Sequence, residues 1–419
     1  MTPGPEADVR PNRSLGLLVV AHAINHAQAV LLPLIFLRVI DEFGASPAAI
    51  AFLSAIGGFA SGIIQIGFGV LTRFVPRRVI LGIGGIVFGA GFAGQAVAPT
   101  FASFSIVNVL SRIGGAPQHP VGNGLLAEQF PPHRRGFAIS AHISGGNVGT
   151  VVVAVAGTWL VAVLGWRPTA VLFGVPAVLV AIAMLVGVRE TGADRAAALA
   201  HGSIRDAYAR IVRTPGMLWI FLTSVLGGGG RGLGVVNLFV LLYLTGVMRL
   251  DEGTTNLMYA VLIVLSVPAP LVAGWLSDRF GRKPLIIGVY LGGAVGFVAF
   301  IAAGSSLLGL WVAILIMGVF SFAESPQLQA LLADISAPEI RDAAFGTYFT
   351  LAFGIGALWA ALYGALINVL GEATGLPVVF AIMAVSFVAA ALAMLPVPEP
   401  PALSREHGTV AEGVGIIGE

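Results

Sequence analysis

Gly274-Trp275-Leu276-Ser277-Asp278-Arg279-Phe280-Gly281-Arg282-Lys283 packs one acid and three cations into a single short stretch. It interrupts a chain that is otherwise nearly free of charge. Of 419 residues, 57% are hydrophobic and 10% are charged, and the mean hydropathy is +0.94. Soluble domains carry about 25% charged residues, so a soluble fold is excluded. The long unbroken apolar runs also exclude a membrane β-barrel, whose strands are short and alternating. An all-α membrane protein remains. A helix needs about 20 apolar residues to cross a bilayer. Charge and proline clusters then divide the chain into twelve expected spans, at 15–39, 47–72, 79–98, 102–127, 137–164, 168–187, 217–246, 254–277, 284–303, 306–333, 343–370 and 375–396. The quoted stretch closes span eight.

The remaining loops set the orientation. With the N-terminus inside, 17 of the 22 basic residues face the cytoplasm, while only Arg38, Arg167 and Arg249 face outward. This asymmetry predicts two cytoplasmic ends and an even number of spans. The expected organisation is a tail at 1–14, a six-helix half at 15–187, a linker at 188–216, a second half at 217–396 and a tail at 397–419. Within the linker, Ile204, Ala207, Tyr208, Ile211 and Val212 share one face, which predicts an amphipathic helix on the inner membrane surface that tethers the halves. Pairs such as Gly145/Gly149 and Gly292/Gly296 have the spacing that lets helices approach closely.

A shift of 206 residues lays Pro120, Leu125-Leu126-Ala127, Glu128, Pro132 and Arg135 over Pro326, Leu331-Leu332-Ala333, Asp334, Pro338 and Arg341. The two halves are therefore pseudo-symmetric. Parallel six-helix repeats suit a transporter that rocks about a midplane site; a channel has no need of them. The absence of cysteine removes thiolate metal sites and cysteine nucleophiles. No HExxH, GxSxG or phosphate-loop motif supports an enzyme or a nucleotide-driven pump, and no nucleic-acid module is present. No cofactor is expected.

The stretch at 274–283 resembles the loop motif of the major facilitator superfamily, G-x-L-x-D-R-x-G-R-K. The resemblance implies twelve helices in two halves and a carrier that works as a monomer on a small molecule in the lipid bilayer. It also implies a gate in which Asp278, Arg279, Gly281, Arg282 and Lys283 act with Glu128, Arg135, Asp334 and Arg341. The first-half copy is degraded to Gly69-Val-Leu-Thr-Arg73-Phe-Val-Pro76-Arg77-Arg78. Arg73 replaces the acid, so the first half is expected to lack an acid-centred latch, with Glu128 pairing with Arg73. Three further stretches, His22-Ala-Ile-Asn25-His26, Gln118-His119-Pro120 and Gly145-Gly146-Asn147-Val-Gly149, resemble the fosmidomycin-resistance-type branch of that superfamily. That branch includes exporters. The Gly-Pro kink common in span five of exporters is absent here, where the chain reads Thr150-Val-Val-Val-Ala-Val-Ala-Gly157.

Ionisable groups deep in a membrane are costly and mark function. Histidines aside, three qualify: Arg112, Arg231 and Glu324. The resemblance places spans one, four, seven and ten around the central cavity. Arg231 lies among Gly227–Gly230 and Gly232, which weaken the helix near the midplane. Its planar fork suits a carboxylate or phosphonate. The expected substrate contacts are Arg231, Arg112, His119, His22, His26, Asn25 and Gln118, with Glu324 coupling transport to protons. His22 and His26 share a helix face. The histidines read as pore-lining hydrogen-bonding groups, with proton relay and metal ligation as alternatives; no metal is assigned.

Overall fold

The computed structural model describes residues 9–399, and all regular structure among them is helical. The tail expected at 397–419 lies outside the described residues beyond Glu399, as does most of that at 1–14. Each expected span has a helical counterpart. The first half runs α1 (Pro11–Phe43), α2 (Pro47–Leu71), α3 (Arg77–Gly94), α4 (Phe101–Gly115), α5 (Pro120–Gln129), α6 (Pro132–Leu164) and α7 (Trp166–Gly187). Between the halves lie α8 (Ala193–Ala200) and α9 (Ile204–Arg213). The second half begins with α10 (Met217–Gly227), α11 (Asn237–Leu242), α12 (Glu252–Leu265) and α13 (Pro268–Phe280). It continues with α14 (Arg282–Ala302), α15 (Leu307–Phe320), α16 (Glu324–Ile335), α17 (Arg341–Thr350), α18 (Ala357–Leu370) and α19 (Glu372–Ala393).

Among the described residues, ten helical segments are long and apolar enough to cross a membrane. Spans four and seven are the exceptions, because each is interrupted: α4 gives way to α5 around His119, and α10 to α11 around Arg231. The boundaries follow local chemistry. Ser46 caps α2 through Ala49 N–H, with Pro47 in the first turn, where a missing N–H costs nothing. Thr100 and Ser103 form a reciprocal capping box at α4, satisfying two end donors at once. Gly281 turns α13 into α14 at φ +101°, a conformation that side chains with a Cβ resist.

Small residues set the helix contacts. A methyl group built on Gly145 or Gly149 would run into the backbone of Val19 or Ala23, so α6 and α1 touch main chain to main chain. Hydrocarbon solvent supplies no drive for helix association, and such close packing is what holds helices together there. Both described ends lie on one face of the bundle, where Gly216 meets Pro398 and Arg282 N–H donates to Glu399. This is the terminal face.

The linker differs from expectation in two ways. It holds two helices, and α9 docks on the bundle. Ile211 is buried, Ala207 and Tyr208 pack against the core, and Arg210 bonds Glu339 at 2.9 Å. Only Ile204 and Val212 of its apolar face stay exposed. Its first turn is fixed by a Ser203/Asp206 capping box, whose backbone and hydroxyl donors hold the Asp206 carboxyl below its usual range.

Candidate functional site

Two spans break at the same depth and join at their breaks. After α10, Gly228–Gly230 tighten into one turn and Arg231 is extended at ψ 134°. Gly234 then takes φ +92° before α11 resumes at Asn237. In span ten, Ser321–Ala323 separate α15 from α16. Gly232 N–H donates to the Ser321 carbonyl at 2.9 Å across this gap. The freed backbone groups are thus satisfied by each other, which a break inside a bilayer requires.

The break positions an ion pair. Arg231 Nε lies 2.7 Å from Glu324 Oε1, and the Tyr290 hydroxyl donates to Glu324 Oε2 at 2.9 Å. Arg231 also donates to Ala352 O at 3.3 Å and Ser224 O at 3.2 Å. Glu324 is fully buried in the first turn of α16, where the helix dipole favours a carboxylate. Every donor nitrogen of Arg231 therefore has a protein partner in this conformation.

Facing this pair across a cavity is a wall of imidazoles. His22 and His26 project from α1, and His119 sits at the break before Pro120. Ring centroids are 4.5 Å apart for His22 and His26 and 4.7 Å for His22 and His119. His119 stacks on Phe349 at 5.0 Å. Behind the wall, His142 Nδ1 lies 3.0 Å from Asn123 Oδ1, Asn123 donates to Gln329 at 2.6 Å, and Gln329 donates to Ser325 at 2.8 Å. This chain of hydrogen bonds runs from one half to the other.

The structure gathers Arg231, Glu324, His22, His26 and His119 around one cavity. Three of the residues expected there sit elsewhere. Arg112 lies against Gly57 of α2 and donates to Ser54 O at 3.4 Å. Asn25 and Gln118 line a separate recess between α1, α3, the end of α4 and α7. Gln118 is further occupied, donating to Leu18 O at 3.2 Å. Sequence reasoning missed Tyr290, Phe349 and Phe353. A lone phenol in the apolar run of span nine was the available signal for Tyr290; the two phenylalanines gave none among 25.

At the terminal face the halves are locked. In the second half, Arg282 bonds Asp334 at 2.9 Å and Asp278 at 2.6 Å. Asp278 also accepts from Gly136 N–H at 2.9 Å and Phe137 N–H at 2.8 Å, capping the start of α6 in the other half. Arg135 reaches across to Asp334 at 2.6 Å. Arg279 does not join; it lies over the Trp275 and Phe280 rings. Lys283 bonds Leu395 O at 2.6 Å.

The first half corrects two expectations. Glu128 pairs with Arg77 and not with Arg73, which donates to Gly202 O. Nor does that half lack an acid-centred latch. Arg77, the counterpart of Arg282, also bonds Asp342 and Asp194, each at 2.8 Å. Asp194 belongs to the linker and takes Arg341 as well, at 2.7 Å. A linker carboxylate thus stands in for the acid that Arg73 replaced.

Hydrogen bonds between the halves continue from this face toward the cavity, from Arg135–Asp334 through Gln327–Ser140, at 3.1 Å, to Asn123–Gln329, at 2.6 Å. Another runs from Asn147 to Ser266 O, at 2.6 Å. The cavity is accordingly sealed from the terminal face.

Comparison with known proteins agrees with this architecture. The family model of the Major Facilitator Superfamily matches residues 18–358 and again 230–414. The chain is 26% identical over 283 residues to a probable L-galactonate transporter of Escherichia coli strain K12, covering 64% of this chain and 62% of that protein. It is 24% identical to a putative niacin/nicotinamide transporter, NiaP, of Bacillus subtilis strain 168, covering 86% and 89%. The solved structure of the proton:xylose symporter XylE superposes with a TM-score of 0.75 at 18% identity, over 93% of this chain and 96% of that one. With its two locked six-helix halves and its family match along nearly the whole length, the chain belongs to the major facilitator superfamily and is a membrane transporter.

Proposed function

We propose that this transporter carries a small organic anion, of carboxylate or phosphonate type, together with protons. The observation that carries the reading is the Arg231–Glu324 pair at 2.7 Å beside the cavity. While Glu324 is ionised it occupies Arg231. Protonation of Glu324 removes that competitor, and an anion then takes the guanidinium by the same charge-assisted bonds. Proton and anion bind together because each removes the cost of the other, a reciprocal coupling. Two relatives support small polar cargo: one is named for a sugar acid and one for niacin or its amide. The XylE likeness supports symport.

Placing both ends in the cytoplasm of a bacterial inner membrane, as the loop charges favour, makes the sealed conformation outward-facing. Breaking the terminal latches would expose the cavity to the cytoplasm, and one chain contains all the parts this cycle needs.

The test is uptake into proteoliposomes of carboxylates, phosphonates and neutral drugs under pH gradients of both signs. Anion accumulation that collapses with the gradient is the expected result. Transport of neutral or cationic compounds alone would reject the anion reading. It would favour the drug exporter suggested by the span one, four and five motifs.

A further inference from the structure

We infer that His22, His26 and His119 form a binding site for one transition-metal ion of the zinc, cobalt or nickel class. Each residue offers one ring nitrogen, and these three nitrogens lie within 4.8 Å of one another. The hydrogen bonds behind the rings decide which nitrogens are free. His22 Nδ1 lies 2.7 Å from the His142 carbonyl, an acceptor only, so Nδ1 carries the proton and Nε2 keeps its lone pair. That Nε2 is buried and has no partner. Thr150 donates its hydroxyl to Gly146 O, so it accepts from His26 Nδ1 at 3.3 Å, leaving His26 Nε2 as a lone pair too. His119 Nδ1 is likewise buried without a partner.

A buried polar atom without a partner costs roughly 1–3 kcal/mol, and two unpartnered ring nitrogens sit in one cluster. An imidazole that donates one nitrogen to a carbonyl or hydroxyl and aims the other at a common point has the outer-shell arrangement of a metal ligand. Three neutral imidazoles beside apolar Phe349 and Phe353 select borderline ions; hard calcium and magnesium require oxygen ligands. Metal–nitrogen bonds of 2.0–2.1 Å place tetrahedral ligand atoms about 3.4 Å apart, so the ion would draw the rings together. All three belong to one half, and the contraction needs no rocking. Because all three histidines line the cavity, a fourth ligand would come from it. The site does not depend on the cargo being an anion, though a carboxylate there would be a natural fourth ligand.

The test uses the purified full chain in detergent, stripped with chelator and titrated with zinc and with cobalt. One ion per chain is expected, with X-ray absorption of the zinc-loaded protein showing three imidazole nitrogens. His22→Gln, His26→Gln and His119→Gln should each weaken binding at least tenfold, whereas His201→Gln in the linker should not. Absence of stoichiometric binding would overturn the proposal. So would an all-oxygen shell, or binding that survives replacement of all three. The absorption spectrum is taken on the unsubstituted chain, so a variant that fails to fold does not spoil the test. Metal-free protein that still transports an anion would leave the cargo reading standing and speak only to the ion's role.

Discussion

Gly274 and Gly136 meet backbone against backbone: a Cβ on Gly274 would lie 2.7 Å from the Gly136 carbonyl oxygen. The pseudo-symmetric contact joins Gly69 to Asp342 and Gly346, with a built Cβ at 2.5 Å from Asp342 O. These two points are where the halves press together beside the latches. Gly274→Val or Gly69→Val should wedge them apart. Overpacking of this kind costs about 1–3 kcal/mol, all of it charged to the sealed conformation. The chain has no cysteine, so Ala127→Cys gives a single buried probe beneath the terminal face. Its reaction with an impermeant thiol reagent from that side should speed up in either valine variant; an unchanged rate would contradict the wedge.

Asp194→Asn should loosen the first-half latch. It removes a carboxylate shared by Arg77 and Arg341, and breaking a buried pair costs on the order of 3 kcal/mol. Glu128 and Asp342 remain on Arg77, so folding should survive while the probe at Ala127→Cys becomes more reactive. A variant as inert as the parent would show that the linker only tethers.

Glu324→Gln is expected to bind anion but no longer to accumulate it against a gradient. Counterflow exchange should persist while pH-driven uptake falls to the level of empty vesicles. Arg231→Gln should abolish both, because it removes the anion's partner. Retention of pH-driven uptake by Glu324→Gln would reject the coupling role.

Arg112→Gln provides the contrast. Its side chain lies against α2, away from the cavity. Substitutions away from a site typically act within about 0.5 kcal/mol, or roughly twofold in apparent affinity. A larger rise in the half-saturating substrate concentration would place Arg112 in the binding site after all.

How far the sequence was readable depends on the kind of signal. Spans are a property of local hydropathy, so all twelve could be marked without knowing their neighbours. The breaks at Arg231 and Glu324 were half visible: glycines announced the first, while Ser321–Ala323 carries no comparable mark. Partner choice was the weakest link. Arg73 and Arg77 are equally plausible partners for Glu128 in sequence, and only the turn before α3 decides which one points inward. Knowing the span of Arg112 does not give its helix face, and α4 ends too close to its break for periodicity to settle it. Asp194 could not be foreseen as a latch residue, since nothing in a polar connection distinguishes one acid from another.

The position of Asp194 has a consequence for the chain's length. It is fixed in place by two arginines, and α7 ends at Gly187. The few residues between are therefore a measured spacer, not slack. Inserting or deleting even one ahead of Asp194 would carry its carboxylate out of register. Two halves made as separate polypeptides and divided at residue 190 could assemble, yet the first would arrive without its clasp.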